Sequence, residues 1–251
     1  MKRTPGEAAF TRMSGSEREA YWLSLDWTDL DTRIARRIEW QIAQLLFMGK
    51  ITASDADDKK VISEIDYGTP ESVAITTKWD QASSDPHADL RNAMRHLTSV
   101  CYAQADLIVL GKNAANAYVK NQAVIDGFNK FRVKSGEMKP KEKSLGVFQL
   151  STWTGLPVYS YELAFTDDDG VEKPFVPDDM VLVASTAIKH KVAYAGVSQV
   201  DPVSKRMDVF EGTRVPQVYY SEEDDCRYFR LSSRPCPVPA DMLGWVIMDA
   251  I

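Results

Sequence analysis

Leu23, Trp27, Leu30, Ile34, Ile38, Leu45 and Met48 recur at steps of three, four and seven, the spacing of one helix face. Ser16-Glu17-Arg18-Glu19 has the capping-box spacing, and no proline intervenes before Gly49, so a helix is expected over about 16–49. Residues 23–48 alone would span roughly 38 Å at ~1.5 Å per residue. A break near 26–31 would leave 30–48 as the firm part. Trp22, Trp40 and Phe47 form a second apolar cluster about 120–140° around the same helix. Two accounts fit a second apolar face: a wide buried surface in a large core, or a helix held between its own domain and a neighbouring chain.

Beyond Gly49 the period shortens. Residues 61–65 and 73–77 alternate like strands, with Gly68-Thr69-Pro70 between them. Asp85-Pro86 has the form of a helix start, a capping aspartate before a first-turn proline, and Leu90, Met94, Leu97 and Cys101 line the inner face that follows. Leu107-Ile108-Val109-Leu110 predicts a short buried strand, then Gly111 and a helix to about Asn121. Residues 130–143 hold six Lys or Arg with Gly136 and Pro140 among them, the pattern of a solvated loop rather than a polyanion contact. Strands are expected at 147–151, 157–164, 180–185, 192–199, 206–210, 215–220, 226–232 and 244–250, paired antiparallel. The class is α+β.

Composition narrows the partners. At 251 residues, 44% apolar and 26% charged, the chain can bury a substantial core. No apolar run reaches the roughly 18 residues that span a bilayer, and Pro5-Gly6-Glu7 interrupts any signal peptide, so folding in cytoplasm is expected. Cys101, Cys226 and Cys236 are an odd set without a Cys-x-x-Cys pair, which suits a reducing compartment. A net charge of −6 argues against sequence-specific DNA binding but not against enclosing DNA.

Catalytic motifs fail on inspection. Gly196-Val197-Ser198-Gln199-Val200 puts valine where a hydrolase elbow needs glycine, and His87, His96 and His190 all precede the serine. His87 reads as a first-turn surface residue. Calcium loops counted from Asp55 or Asp167 place Lys60 or Glu172 at the glycine position. Gly49-Lys50 and Gly111-Lys112 lack the upstream glycine of a phosphate loop. No catalytic, cofactor-binding or metal-ligating residue is assigned, and no cofactor is expected.

Several ordered motifs carry a resemblance. Residues 34–50, IARRIEWQIAQLLFMGK, end a long helix on Gly-Lys. Trp79, Asp85-Pro86 and Asp89-Leu90 follow, then residues 107–117. The acidic turn before Gly170 leads through Pro174-Phe175-Val176-Pro177 and Asp178-Asp179 into Met180-Val181-Leu182. Ser232-Ser233-Arg234-Pro235-Cys236-Pro237 precedes an apolar final strand. Two prolines confine that middle segment to an edge or a connection. Together these resemble the lambda-like major capsid proteins of tailed phages, the capsid protein E family.

The resemblance implies the tailed-phage major capsid fold, with a long spine helix, a peripheral domain and a compact axial domain. The peripheral part would be residues 1–80 with 206–238, including the spine helix at about 16–49. The axial part would be 81–205 with 239–251. It implies a non-enzymatic subunit self-assembling into hexamers and pentamers of an icosahedral shell in the virion, made in the bacterial host cytoplasm. Scaffold, portal and decoration proteins are the implied partners, with double-stranded DNA packaged non-specifically and no membrane or small-molecule substrate. Trp22, Trp40 and Phe47 become the candidate subunit-interface residues. The family's long stretch before the spine helix has no counterpart ahead of Ser16, which implies an N-terminally truncated prophage member. A nanocompartment shell of the same fold is the alternative, and a cytoplasmic hydrolase with an unrecognised site is the contrasting one.

Overall fold

The computed structural model describes residues 14–54, 61–130, 136–166, 170–201, 204–221 and 226–251. The acidic run 55–58 and Asp167 lie outside them, as do the side chains of Cys101 and Cys226. In chain order the first elements are α1 (Gly15–Met48), β1 (Lys50–Ser54), β2 (Val61–Asp66), β3 (Glu71–Ser72), α2 (Pro86–Cys101) and β4 (Leu107–Leu110). Next come α3 (Lys112–Lys120), α4 (Gln122–Lys130), β5 (Gly136–Ser144), β6 (Val147–Trp153), β7 (Leu156–Tyr161) and β8 (Ala164–Thr166). Then follow β9 (Glu172–Pro174), β10 (Met180–Ala184), β11 (Lys191–Tyr194), β12 (Val197–Val200) and β13 (Met207–Phe210). Last are β14 (Val215–Ser221), β15 (Cys226–Ser232), β16 (Pro235–Val238), a 3-10 turn and β17 (Trp245–Asp249).

Two compact units share these elements: Met1–Glu39 with Val192–Cys236, and Trp40–Lys191 with Pro237–Ile251. The division therefore falls elsewhere than the expected 1–80/206–238 and 81–205/239–251. Residues 40–80 join the second unit because β3 pairs in parallel with β17, Trp79 N–H donates to Ala250 O at 2.8 Å and Tyr67 Oη donates to Pro237 O at 3.0 Å. Residues 192–205 join the first because β12 pairs with β13.

The second unit is built on a seven-stranded sheet in the order β3-β17-β10-β4-β7-β6-β5. Most neighbours are antiparallel, as expected, but β4–β7 and β17–β3 run parallel. Side-chain alternation sorts the strands cleanly. Ile108, Leu110, Val181, Val183, Val246 and Met248 face the main core, which α2, α3 and α4 complete with Leu90, Leu97, Tyr118 and Val124. Leu182, Trp245 and Ile247 face the other way, toward Leu46 and Phe47 at the end of α1. The indole Nε1–H of Trp245 donates to Leu46 O at 2.9 Å, which anchors that end.

Helix starts follow their local chemistry. Asp85 caps α2, accepting from Ala88 N–H at 3.1 Å, with Pro86 in the first turn. In α1 the reciprocal box is Ser14 with Glu17, two residues upstream of the expected serine: Glu17 N–H donates to Ser14 Oγ (3.2 Å) and Ser14 N–H to Glu17 Oε2 (2.6 Å). Those bonds hold the Glu17 carboxyl below its usual range. The helix shows no break at 26–31 and stops at Gly49, whose φ of +72° suits glycine.

Three other expectations are corrected. The strand expected at 73–77 is only Glu71–Ser72, although Val73 N–H still reaches Ile247 O at 3.0 Å. The helix expected to end near Asn121 is followed at once by α4, because Asn121 turns the chain and its Oδ1 accepts from Ala123 N–H at 2.9 Å. The basic stretch is not simply a loop. Residues 136–144 form the edge strand β5, with register shifts at Met138/Lys141 around Pro140. Lysines and a proline on an edge strand discourage further pairing.

The turn from Pro177 to Met180 ties the second unit together. Asp178 O accepts from Asn113 N–H (2.9 Å) and Ala114 N–H (3.0 Å), supplying the cap that no α3 side chain provides. Gly111 N–H donates to Met180 O at 2.9 Å, and Asp179 O accepts from Ala250 N–H at 2.8 Å. A Cβ at Gly111 would stand 2.1 Å from Pro177 O and 2.6 Å from Asp178 O. Gly111→Ala should therefore cost about 1–3 kcal/mol, the range of overpacked positions. Gly15→Ala, with nothing within 4 Å, should leave the thermal midpoint unchanged or slightly higher. Equal midpoints for the two variants would contradict the tie.

Candidate assembly surfaces

The first unit is poor in buried side chains. Among its described residues only Val197, Gln199 and Val215 are buried, whereas both hydrophobic clusters lie wholly in the second unit. Two buried valines supply a few kcal/mol at most. That is far less than the ordering entropy of a unit this long. Half-buried Leu30, Ile34, Ile38, Val218, Phe229 and Leu231 add to its apolar packing.

Within this unit the first part of α1 meets the β14–β15 ribbon through a few point contacts. Trp27 lies tilted against Phe229 with ring centroids 5.8 Å apart. Asp31 pairs with Arg214, and Glu19 with Arg227. These ion pairs are partly exposed, so each is worth little on its own. Part of the expected apolar stripe is open to solvent: Leu23, Trp27 and, at the far end, Met48 are exposed, as are Tyr21 and Leu25 outside it.

The β12–β13 ladder presents a second open face. Val200 pairs with Met207 and Ser198 with Val209, so these four side chains share one side. Met207 is 69% and Val209 66% exposed, and Val200 is exposed as well. On the β14–β15 ribbon, Tyr219 and Tyr228 stack at 5.2 Å and both remain exposed. The strands were legible in the sequence, but the exposure of this face was not. The alternation Met207-x-Val209 was the available signal, and it does not say which face lacks a covering layer.

Trp22, Trp40 and Phe47 are each half-buried. Trp22 lies in the first unit, edge-on to Tyr21 at 5.8 Å. Trp40 lies in the second, edge-on to Phe165 at 6.3 Å, and Phe47 packs against the Leu182–Trp245–Ile247 cluster. The helix wheel puts them on one side, while the fold gives each a different neighbour.

The histidines hold structural positions. His87 is buried, not on the surface as expected, because the opening turn of α2 faces α4 and β6. His96 Nε2 is 3.1 Å from Glu71, and His190 Nδ1 accepts from Ala240 N–H at 3.3 Å. Ser198 sits in extended strand opposite Val209 rather than on a turn. Among the described residues no three His, Cys, Asp or Glu side chains gather as a metal site would require, and no helix is long and apolar enough to cross a membrane.

The family model described as phage major capsid protein E matches residues 4–250. The P21 prophage-derived major head protein of Escherichia coli O6:H1 strain CFT073 is 22% identical over 221 residues, covering 84% of this chain and 62% of that protein. The major capsid protein of Escherichia phage lambda is 22% identical over 251 residues, covering 96% and 71%. The chain thus spans less than two thirds of the P21 relatives' length. A solved structure of an E. coli CFT073 prophage protein described as a capsid protein superposes with a TM-score of 0.77 at 19% identity, over 100% of this chain and 73% of that one.

Met207→Lys should change stability by less than about 0.5 kcal/mol, since its side chain touches little within the chain. It should also lower the binding of a dye that reports exposed apolar surface. A large fall in the thermal midpoint would show that the chain itself covers this face.

Proposed function

The chain belongs to the phage major capsid protein E family, and we propose that it serves as a structural subunit whose copies complete one another's surfaces in a shell. The observation that carries this is the first unit's shortage of buried side chains beside its open apolar face Val200–Met207–Val209. Apolar faces of this kind mark sites of association. In a closed symmetric assembly, many modest contacts of one type replace a private core.

In this reading the first unit takes the peripheral role and the second the axial role. Hexamers and pentamers are the expected capsomers, with scaffold, portal and decoration proteins as further partners. The half-exposed aromatic residues Trp22, Trp40 and Phe47 contribute along the helix. Double-stranded DNA is cargo held without sequence preference, which the net charge of −6 permits because a container wall gains nothing from gripping its contents. The location is the virion capsid, after synthesis in the host cytoplasm.

Light scattering of the purified chain, with negative-stain microscopy of the same samples, tests the proposal. The unaltered protein should form multi-copy species that grow with concentration, while the Met207→Lys, Val209→Lys double variant should remain small and folded. A unaltered chain that stays monomeric throughout the concentration series would refute the shell role.

A further inference from the structure

His87 is 7% exposed, and its ring is enclosed by elements of the second unit. It stacks flat on Trp153 of β6, with centroids 4.8 Å apart and planes 9° apart. Phe128 of α4 meets it edge-on at 5.3 Å, and Tyr118 of α3 at 5.8 Å. The bare backbone of Gly127 permits this approach, since a Cβ there would lie 3.0 Å from His87 Nδ1. Nε2 is 3.1 Å from Tyr118 Oη, which is 3.3 Å from Ser151 Oγ. One imidazole thus joins α2, α3, α4 and β6.

The surroundings favour the neutral ring. On α2, Asp85 pulls toward the charged form and Arg91 against it. On α3, Tyr118 stays a phenol, its pKa pushed up to about 12 by burial. From α4 and β6 the groups against the ring are Gly127, Phe128 and Trp153, none of which ionises, and Ser151 of β6 reaches Tyr118. Whichever nitrogen carries the proton in the neutral ring, a protonated ring can only donate at Nε2, and the phenol must then turn its own proton to Ser151. Stacking on Trp153 offsets part of the cost of a buried cation.

The ring holds a short helix against one edge of the sheet. A nine-residue helix such as α4 is marginal without tertiary contacts. β5 is an edge strand, and Met138 on it packs against the same core as Phe128. We propose that His87 is an acid-sensitive latch: a proton on its ring frees α4 and the β5–β6 edge while the centre of the sheet, β4–β10–β17, stays paired. The latch is a property of the second unit and stands whether or not the chain assembles.

The direction follows from linkage. Burial lowers the His87 pKa from 6.5 to about 4. Above 6.5 neither the closed nor the open form is protonated and the latch holds. As pH falls from 6.5 toward 4, the open form takes up the proton and the closed form does not, so opening grows. The opening equilibrium should rise about 20-fold between pH 7 and pH 5.

Hydrogen exchange at these two pH values, corrected for intrinsic rates, reads this directly. Protection in α4, β5 and β6 should fall about 20-fold at pH 5, protection in β4, β10 and β17 should hold, and His87→Phe should abolish the fall. Unchanged protection, an even loss across the sheet, or the same loss in His87→Phe would overturn the proposal. Should that variant not fold, NMR titration of the unaltered His87 ring decides. A midpoint near 4 supports the latch, and one near 6.5 overturns it.

Discussion

Burial of apolar surface dominates the energetics of a folded chain, and here it is distributed unevenly. The second unit hides Trp79, Trp245, Tyr118 and a run of aliphatic side chains almost completely. The first unit hides two valines and a glutamine among its described residues. Half-buried side chains such as Leu30, Ile34 and Leu231, ribbon pairing, the Trp27–Phe229 contact and partly exposed ion pairs add to its cohesion. Hydrogen-bonded ribbons without a covering layer are marginal alone. On the proposed reading, association with other copies would make good that deficit.

The second unit shows the opposite logic. β10 is buried on both faces, with Val181 and Val183 in one cluster and Leu182 in the other. The turn before it offers its own carbonyls as the cap of α3 and as the acceptor for Ala250. Gly111 is glycine because Pro177 O and Asp178 O come too close for any side chain. The most distinctive stretch of the sequence is thus distinctive for a mechanical reason. Its prolines end β9 and start a connection, while its two aspartates sit where backbone atoms of three elements meet.

Signals contained within a few residues were legible in the sequence. Asp85-Pro86, the apolar run of β10, Gly49 and the alternating strands after Phe148 each carry their structure locally. The family resemblance was legible too, because its motifs sit at such tied points. What depends on distant partners was not. Residues 130–143 look like solvent-exposed chain, yet part of them forms β5, since an edge strand tolerates lysines and a proline bulge. His87 follows Asp85 and Pro86, which suggests a surface turn, but α4 and β6 close over it. Helical periodicity placed Trp22, Trp40 and Phe47 on one side without saying which elements would meet them. Nor could it show that Leu23 and Trp27, on the supposed inner stripe, remain exposed.

The central claim is that the first unit depends on other copies for its order. Amide hydrogen exchange in β12–β15, followed as the protein is diluted, tests it most directly. The account predicts protection that rises with protein concentration in these strands and stays constant in β4, β10 and β17. Full, concentration-independent protection of β12–β15 in a 28.2 kDa monomer would contradict it.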